Sequence, residues 1–332
     1  MNTAVADTRH LTNGAVAAPP AFGPGMIALV LRVGLGLVMF SGGLHKLFQA
    51  YDPARQAAFV ERYLSAEGYI SQFWVSYLFE GALGTVLTPL LFLTVLSGFE
   101  FLCGMLLIAG VLVRPLALIW GLLFWSFVAA LPVVTARGAE IAAATHETPA
   151  LLVMIRDIGL SGLFFVLFNI GAGRYSLDER LFGASATRSS LHYDPLGLLL
   201  RLSIALPLLV GGAFAGYGHI QTFGVPAPVL IALALPLLLN VGVRFAGVGI
   251  MALMLWFSFQ SFDLGRSLIA NMNAFKREFA FFAVGLVLAL VGGGRSFSIL
   301  RIREGWQNLI RPGRAVALPG REVSSTTRGS RV

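Results

Sequence analysis

The stretch "IRDIGLSGLFFVLFNIGAGR", residues 155–174, returns in altered form near the other end of the chain as "KREFAFFAVGLVLALVGGGR", residues 276–295. In both, an arginine is followed at once by an acid, Arg156-Asp157 and Arg277-Glu278. An apolar run, two glycines one residue apart and a second arginine follow. A Gly-x-Gly invites a phosphate-loop reading, but a dinucleotide loop needs a strand before it and a helix after it. Here Gly171 and Gly173 close an apolar run of about 20 residues, which at about 1.5 Å per residue matches a hydrocarbon core about 30 Å thick. The glycines therefore mark a chain leaving a membrane.

Composition agrees. Of 332 residues 57% are hydrophobic and only 12% charged, against about 25% charged in an average soluble domain. Apolar windows fall near 26–48, 90–112, 115–134, 149–171, 196–217, 227–243, 245–264 and 275–293. Without the alternating segments of a β-barrel, these are read as helices, since only helices and closed barrels satisfy every backbone group in lipid. The self-similarity extends beyond the opening pair. Arg32 precedes Gly42-Gly43 as Arg201 precedes Gly211-Gly212, and "RPLALIWGLLFWSF" from Arg114 parallels "RFAGVGIMALMLWFSF" from Arg244. The expected fold is an all-α integral membrane protein with eight transmembrane helices, arranged as two tandem, parallel-duplicated four-helix units. The units span 26–183, with an insertion at 49–89, and 196–300. A linker at 184–195, a disordered tail at 1–25 and a basic tail at 301–332 complete the chain. Within the insertion, 73–88 is too short and too polar to span and reads as interfacial or re-entrant.

The N-terminal tail lacks the charged and apolar regions of a cleavable signal. The tail from Arg301 carries seven arginines and two glutamates and supplies most of the net +8 charge. With no folded basic face or interleaved aromatics, nucleic-acid binding is not indicated, and the charge is read as topological. An eight-helix path puts both termini on one side together with 14 of the 24 Lys and Arg residues. Both termini are thus expected in the cytoplasm of a bacterial inner membrane.

Three motifs carry a family likeness: "GGLHKLF" (42–48), "SGFEFLCGMLLIAGVLVRP" (97–115) and "NIGAGRYSLDERLFG" (169–183). Together they resemble the DoxX-like membrane family. The insertion after the first helix is most similar to the DoxD type, the membrane subunit of thiosulfate:quinone oxidoreductase. The resemblance implies a membrane-embedded subunit of a quinone-linked oxidoreductase, with quinone as electron acceptor and a further membrane or outer-face redox subunit as partner. No haem, flavin or metal motif is visible, and the oligomeric state, a homo-oligomer included, stays open. The competing reading is a non-catalytic scaffold or small-solute transporter.

Candidate site residues follow from the cost of charge in lipid. Glu100 lies about 15 Å into the second helix, from the rise per residue, and is the expected proton-handling group. Arg156 lies at similar depth and is its expected partner, leaving Asp157 to meet Lys46. His45 and His146 sit at the outer helix ends as substrate-binding candidates, and with His219 they form a remote metal possibility. Thr148 and Pro149 read as a helix start, and Cys103 as a core residue. Arg32 and Arg201 are expected to snorkel to the interface. Gly171, Gly173, Arg174, Ser176, Asp178 and Arg114 form the structural motif, with Ser176 capping a short surface helix. The second half keeps the glycines but holds Ala215 and Leu230 where the first has Lys46 and Glu100. The active site is therefore expected within 26–183.

Overall fold

The computed structural model describes residues 23–65, 68–130, 149–173, 175–183, 193–215 and 222–298. Both tails, most of the 184–195 linker, His146, Thr148, Arg174 and His219 lie outside them. The described residues form helices and turns with no strand: α1 (Pro24–Tyr51), α2 (Pro53–Leu64), α3 (Gln72–Val75), α4 (Pro89–Ala109), α5 (Val113–Ala130) and α6 (Pro149–Ile170). Then come α7 (Leu177–Phe182), α8 (Tyr193–Ala213), α9 (Ala227–Leu239), α10 (Val243–Ser261), α11 (Leu268–Ala274) and α12 (Lys276–Val291). The segment 76–88 is not a span but a π turn, Ser76–Glu80, and a 3-10 turn, Ala82–Thr85.

Among the described residues five helices are long and apolar enough to cross a membrane: α1, α4, α5, α8 and α10. The eight expected windows all contain helices, but α9 has 13 residues and α12 has 16. Tight caps shorten them. Asn240 in the left-handed region ends α9, and Lys276 opens α12 directly after the short α11.

Backbone proximity organises the bundle. α1 packs along α4 and α12, while α8 packs along α9 and α6. The first long helix of each half thus lies on the last helix of the other. Glycine makes the α1–α4 contact possible, because a Cβ on Gly43 would lie 2.4 Å from the Phe101 nitrogen and one on Gly104 2.3 Å from that of Phe40. Close backbone approach through small residues is how helices associate in lipid, where no hydrophobic force drives them together.

Arg32 and Arg201 do not snorkel; they are 1% and 0% exposed. Arg32 donates through Nη1 to the Leu107 carbonyl at 3.2 Å and to that of Ile108, and through Nη2 to the Tyr175 carbonyl at 2.6 Å. Arg201 does the same to Leu237 at 2.6 Å and Ser296 at 2.6 Å. The last carbonyls of a helix have no intrahelical donor and carry partial negative charge. Capping them satisfies a buried guanidinium better than water at a distance would. The Gly-x-Gly exit lies beside this anchor, with Gly171 at φ +86° and Gly173 at φ +72°. A Cβ on Gly173 would meet the Ala28 Cβ at 2.5 Å. Ser176 then caps α7 by accepting from the Glu179 amide, and Asp178 accepts from the amides of Leu112 and Val113 at the start of α5. Arg114 follows in the first turn of α5, where its buried Nη2 finds no hydrogen-bond partner among the described residues.

Substituting Gly104 by Val should force α1 and α4 apart and destabilise the protein by about 1–3 kcal/mol, the range for overpacking. Gly98→Ala, where a Cβ has nothing within 4 Å, should leave the thermal midpoint of the detergent-solubilised protein within error of wild type. Equal midpoints for both variants would remove the close-contact account.

Candidate functional site

Four buried or half-buried charges meet between α6 and α12, and their pairing is reciprocal. Arg156 on α6 faces Glu278 on α12 at 3.5 Å, while Arg277 on α12 faces Asp157 on α6 at 3.3 Å. Adjacent residues on a helix point about 100° apart, so each Arg-acid dipeptide sends its two charges to different neighbours. The other helix answers both. The expected Glu100–Arg156 pair is therefore not formed, because Arg156 is turned toward α12 and lies over the Phe223 ring at 5.3 Å.

Glu100 instead accepts a hydrogen bond from Lys46 of α1. The expected Asp157–Lys46 contact is replaced by the Arg277–Asp157 pair, in which Nε and Nη2 both donate to Oδ1 at 3.3 Å. Similar depth along the helices does not make these side chains partners. Rotation about the helix axis decides the outcome, and depth says nothing of it.

The two pairs differ in surroundings. Around Arg156 and Glu278, the guanidinium Nε and Nη2 and both carboxylate oxygens are buried without hydrogen-bond partners among the described residues. Lys46–Glu100 and Arg277–Asp157 open instead on a cavity of about 510 Å³. Its charged end also gathers His45, Gln49, Asn273 and Lys276, with Arg62 exposed in the last helical turn of α2 beside it. Away from that end the wall is apolar and largely aromatic, formed by Met39, Leu93, Leu96, Trp120, Phe124 and Phe127. Trp120 stacks on Phe99 with centroids 5.6 Å apart and on Phe164 at 6.4 Å, which holds the floor rigid. Tyr63, Tyr69, Ile70 and Trp74 from the insertion cover the charged end. Burial pushes the Tyr63 phenol up from its ordinary value, so it faces the cavity as a neutral hydroxyl.

α4 and α5 touch only sparsely beyond the turn that joins them, and the cavity lining includes Ser126, an exposed residue of α5. A ring-shaped apolar ligand could lie against Trp120 and Phe124 with a polar head among the lysines.

The sequence-derived candidates fare unequally. Glu100, Lys46, Asp157 and His45 line the cavity; Arg156 does not. His45 lies 3.2 Å from the Gln49 amide nitrogen, while His146 lies outside the described residues. No group of three His, Cys, Asp or Glu side chains suits a metal among those described. Cys103 is buried in the core. The structural-motif residues Gly171, Gly173, Ser176, Asp178 and Arg114 belong to the opposite end of the bundle. The main correction concerns the second half, because Asn273, Lys276 and Arg277 enter the cavity and the site is not confined to 26–183. The overlooked signal was a second basic residue, Lys276, where the first half has Ile155.

Comparison with known proteins matches residues 27–136 to the DoxX family model, a membrane family. That segment contains α1, α4, α5, Lys46, Glu100 and Trp120, and ends before α6. No curated protein and no solved structure matches the chain.

Reciprocal pairing makes a specific prediction for charge exchange. Asp157→Asn alone should leave Arg277 uncompensated and lower stability by about 3–5 kcal/mol, as for loss of one partner of a buried pair. Asp157→Arg combined with Arg277→Asp should recover part of that loss. Thermal unfolding of the single and double variants in detergent measures the coupling; additive losses would rule out a direct pair.

Proposed function

We propose that the chain is the membrane-embedded subunit of a quinone-linked oxidoreductase, with the quinone ring in the cavity against Trp120 and its carbonyl end among Lys46, Glu100 and Lys276. One observation carries this reading: an apolar, aromatic cavity closes on ionisable side chains within the bundle. A quinone carbonyl that gains electrons needs protons and positive charge nearby. Glu100 is the group to pass a proton, and the cations stabilise developing negative charge on oxygen. A hydrated solute crossing the membrane would need a polar path, whereas the wall is mainly aliphatic and aromatic, so transport is the weaker reading.

The likeness to the DoxD type suggests thiosulfate as reductant, delivered on the side of the insertion. No electron carrier is apparent in the sequence, so electrons would pass directly from the sulfur donor to the quinone, and a partner on that face would act in delivering the donor. In this reading the protein crosses a bacterial inner membrane eight times with both termini in the cytoplasm, as a duplicated four-helix unit. Two observations support the duplication: Arg32 and Arg201 reach carbonyls at matching places of the two similar stretches, and the dipeptides of α6 and α12 pair reciprocally. The short α9 is accommodated by local thinning of the bilayer.

Quinone reduction by the detergent-solubilised full chain, with and without thiosulfate, tests the reading. Turnover is expected with a sulfur donor, and Glu100→Gln should lower it on the order of 100-fold, typical of removing a positioned acid or base. No turnover with any sulfur donor, and no change in Glu100→Gln, would sink it.

A further inference from the structure

The cations at the charged end of the cavity are not equivalent. Lys46 is committed to Glu100, and Arg277 to Asp157. Arg62 lies on the exposed face of α2. Lys276 is different: among the described residues its ammonium has one hydrogen-bond partner, the neutral amide oxygen of Asn273 at 2.9 Å, and no carboxylate within ion-pair distance. An ammonium has three donors, and a charge in an apolar bundle needs acceptors. Two N–H groups of Lys276 are left for whatever fills the cavity.

The backbone has left room for this. A Cβ on Gly42 would lie 2.5 Å from Glu100 Oε1 and 2.9 Å from Lys276 Nζ. Its neighbour Gly43 serves helix packing, since a Cβ there would meet the Phe101 backbone. Gly42 serves the site, because its missing side chain is what lets the carboxylate of α4 and the ammonium of α12 approach the same face of α1.

We infer that Lys276, from the half of the chain outside the family match, is the residue that hydrogen-bonds directly to the carbonyl oxygen of the bound ring. Asn273 and Gly42 act as positioning residues for it. This assignment rests on the quinone reading and extends it: the first half supplies the aromatic floor and the Glu100–Lys46 pair, and the second half supplies the donor that selects a ligand with an acceptor on its ring. Lys46 also has donors to spare, but its charge is already matched by the Glu100 carboxylate, whereas among the described residues Lys276 hydrogen-bonds only to a neutral amide.

Two probes of similar shape separate the possibilities: menadione, which carries two ring carbonyls, and 2-methylnaphthalene, which carries none. Calorimetric titration of the solubilised full chain should show wild type preferring menadione by about tenfold or more, as for a charge-assisted hydrogen bond. Lys276→Met should bring the two affinities together, Lys276→Arg should keep most of the preference, and Gly42→Ala should reduce it. A purely structural role for Lys276 would weaken both probes alike and leave their ratio unchanged. A wild-type preference that survives in Lys276→Met overturns the assignment and leaves the quinone reading standing. No preference in wild type overturns both. Should Lys276→Met fail to purify, an unchanged ratio in Gly42→Ala also overturns the assignment.

Discussion

The fold turns on how charge is neutralised inside an apolar bundle. A side chain such as Arg156 or Asp157 at membrane depth has no water to rely on, so a partner must come from another helix at the right rotation. The structure meets this by exchange: α6 and α12 present the same kind of dipeptide, and each arginine takes the acid of the other helix. Such i-to-j and j-to-i contacts are typical of a two-fold interface between identical subunits. Here they occur within one chain, and they link α6 and α12 through side chains, while α6 packs along α8 and α12 along α1.

The surroundings of this exchange differ on its two sides. On one side the exchange pair borders Lys46 and Glu100, and a cavity forms with polar atoms facing it. On the other side Phe223 covers Arg156, and among the described residues the Arg156–Glu278 pair makes no further hydrogen bond. Desolvated ion pairs are poor sources of stability. Arg156–Glu278 is better understood as a side-chain link that orients α6 and α12, with the neighbouring Asp157 and Arg277 at the cavity.

Much of this was legible in the residues. Apolar length places the helices, the charge composition excludes a soluble domain, and Gly171 and Gly173 mark a chain exit because the run before them is helical. Ser176 is a cap by residue type and position. The burial of Arg32 was less accessible, since an arginine near a helix end can snorkel or cap, and only the location of the α4 terminus distinguishes them. The partners of Glu100, Arg156 and Asp157 were not legible. They depend on helix rotation and on contacts between segments far apart in sequence. Lys276 was hidden for the same reason: within "KREF" it reads as one more interfacial base, and only the path of α12 beside α1 turns it toward Glu100.

The reciprocal pairing also has a consequence in time. Asp157 and Arg277 are 120 residues apart, so at about 5–20 residues per second of synthesis the ribosome needs roughly ten seconds to deliver the second after the first. During that interval α6 is already made while the helix that satisfies its two charges is not. Its inward face cannot close on apolar neighbours until α12 arrives. Completion of the core is thus tied to α12, the last of the described helices to be synthesised, and a chain that stops before it keeps the charges of α6 without their partners.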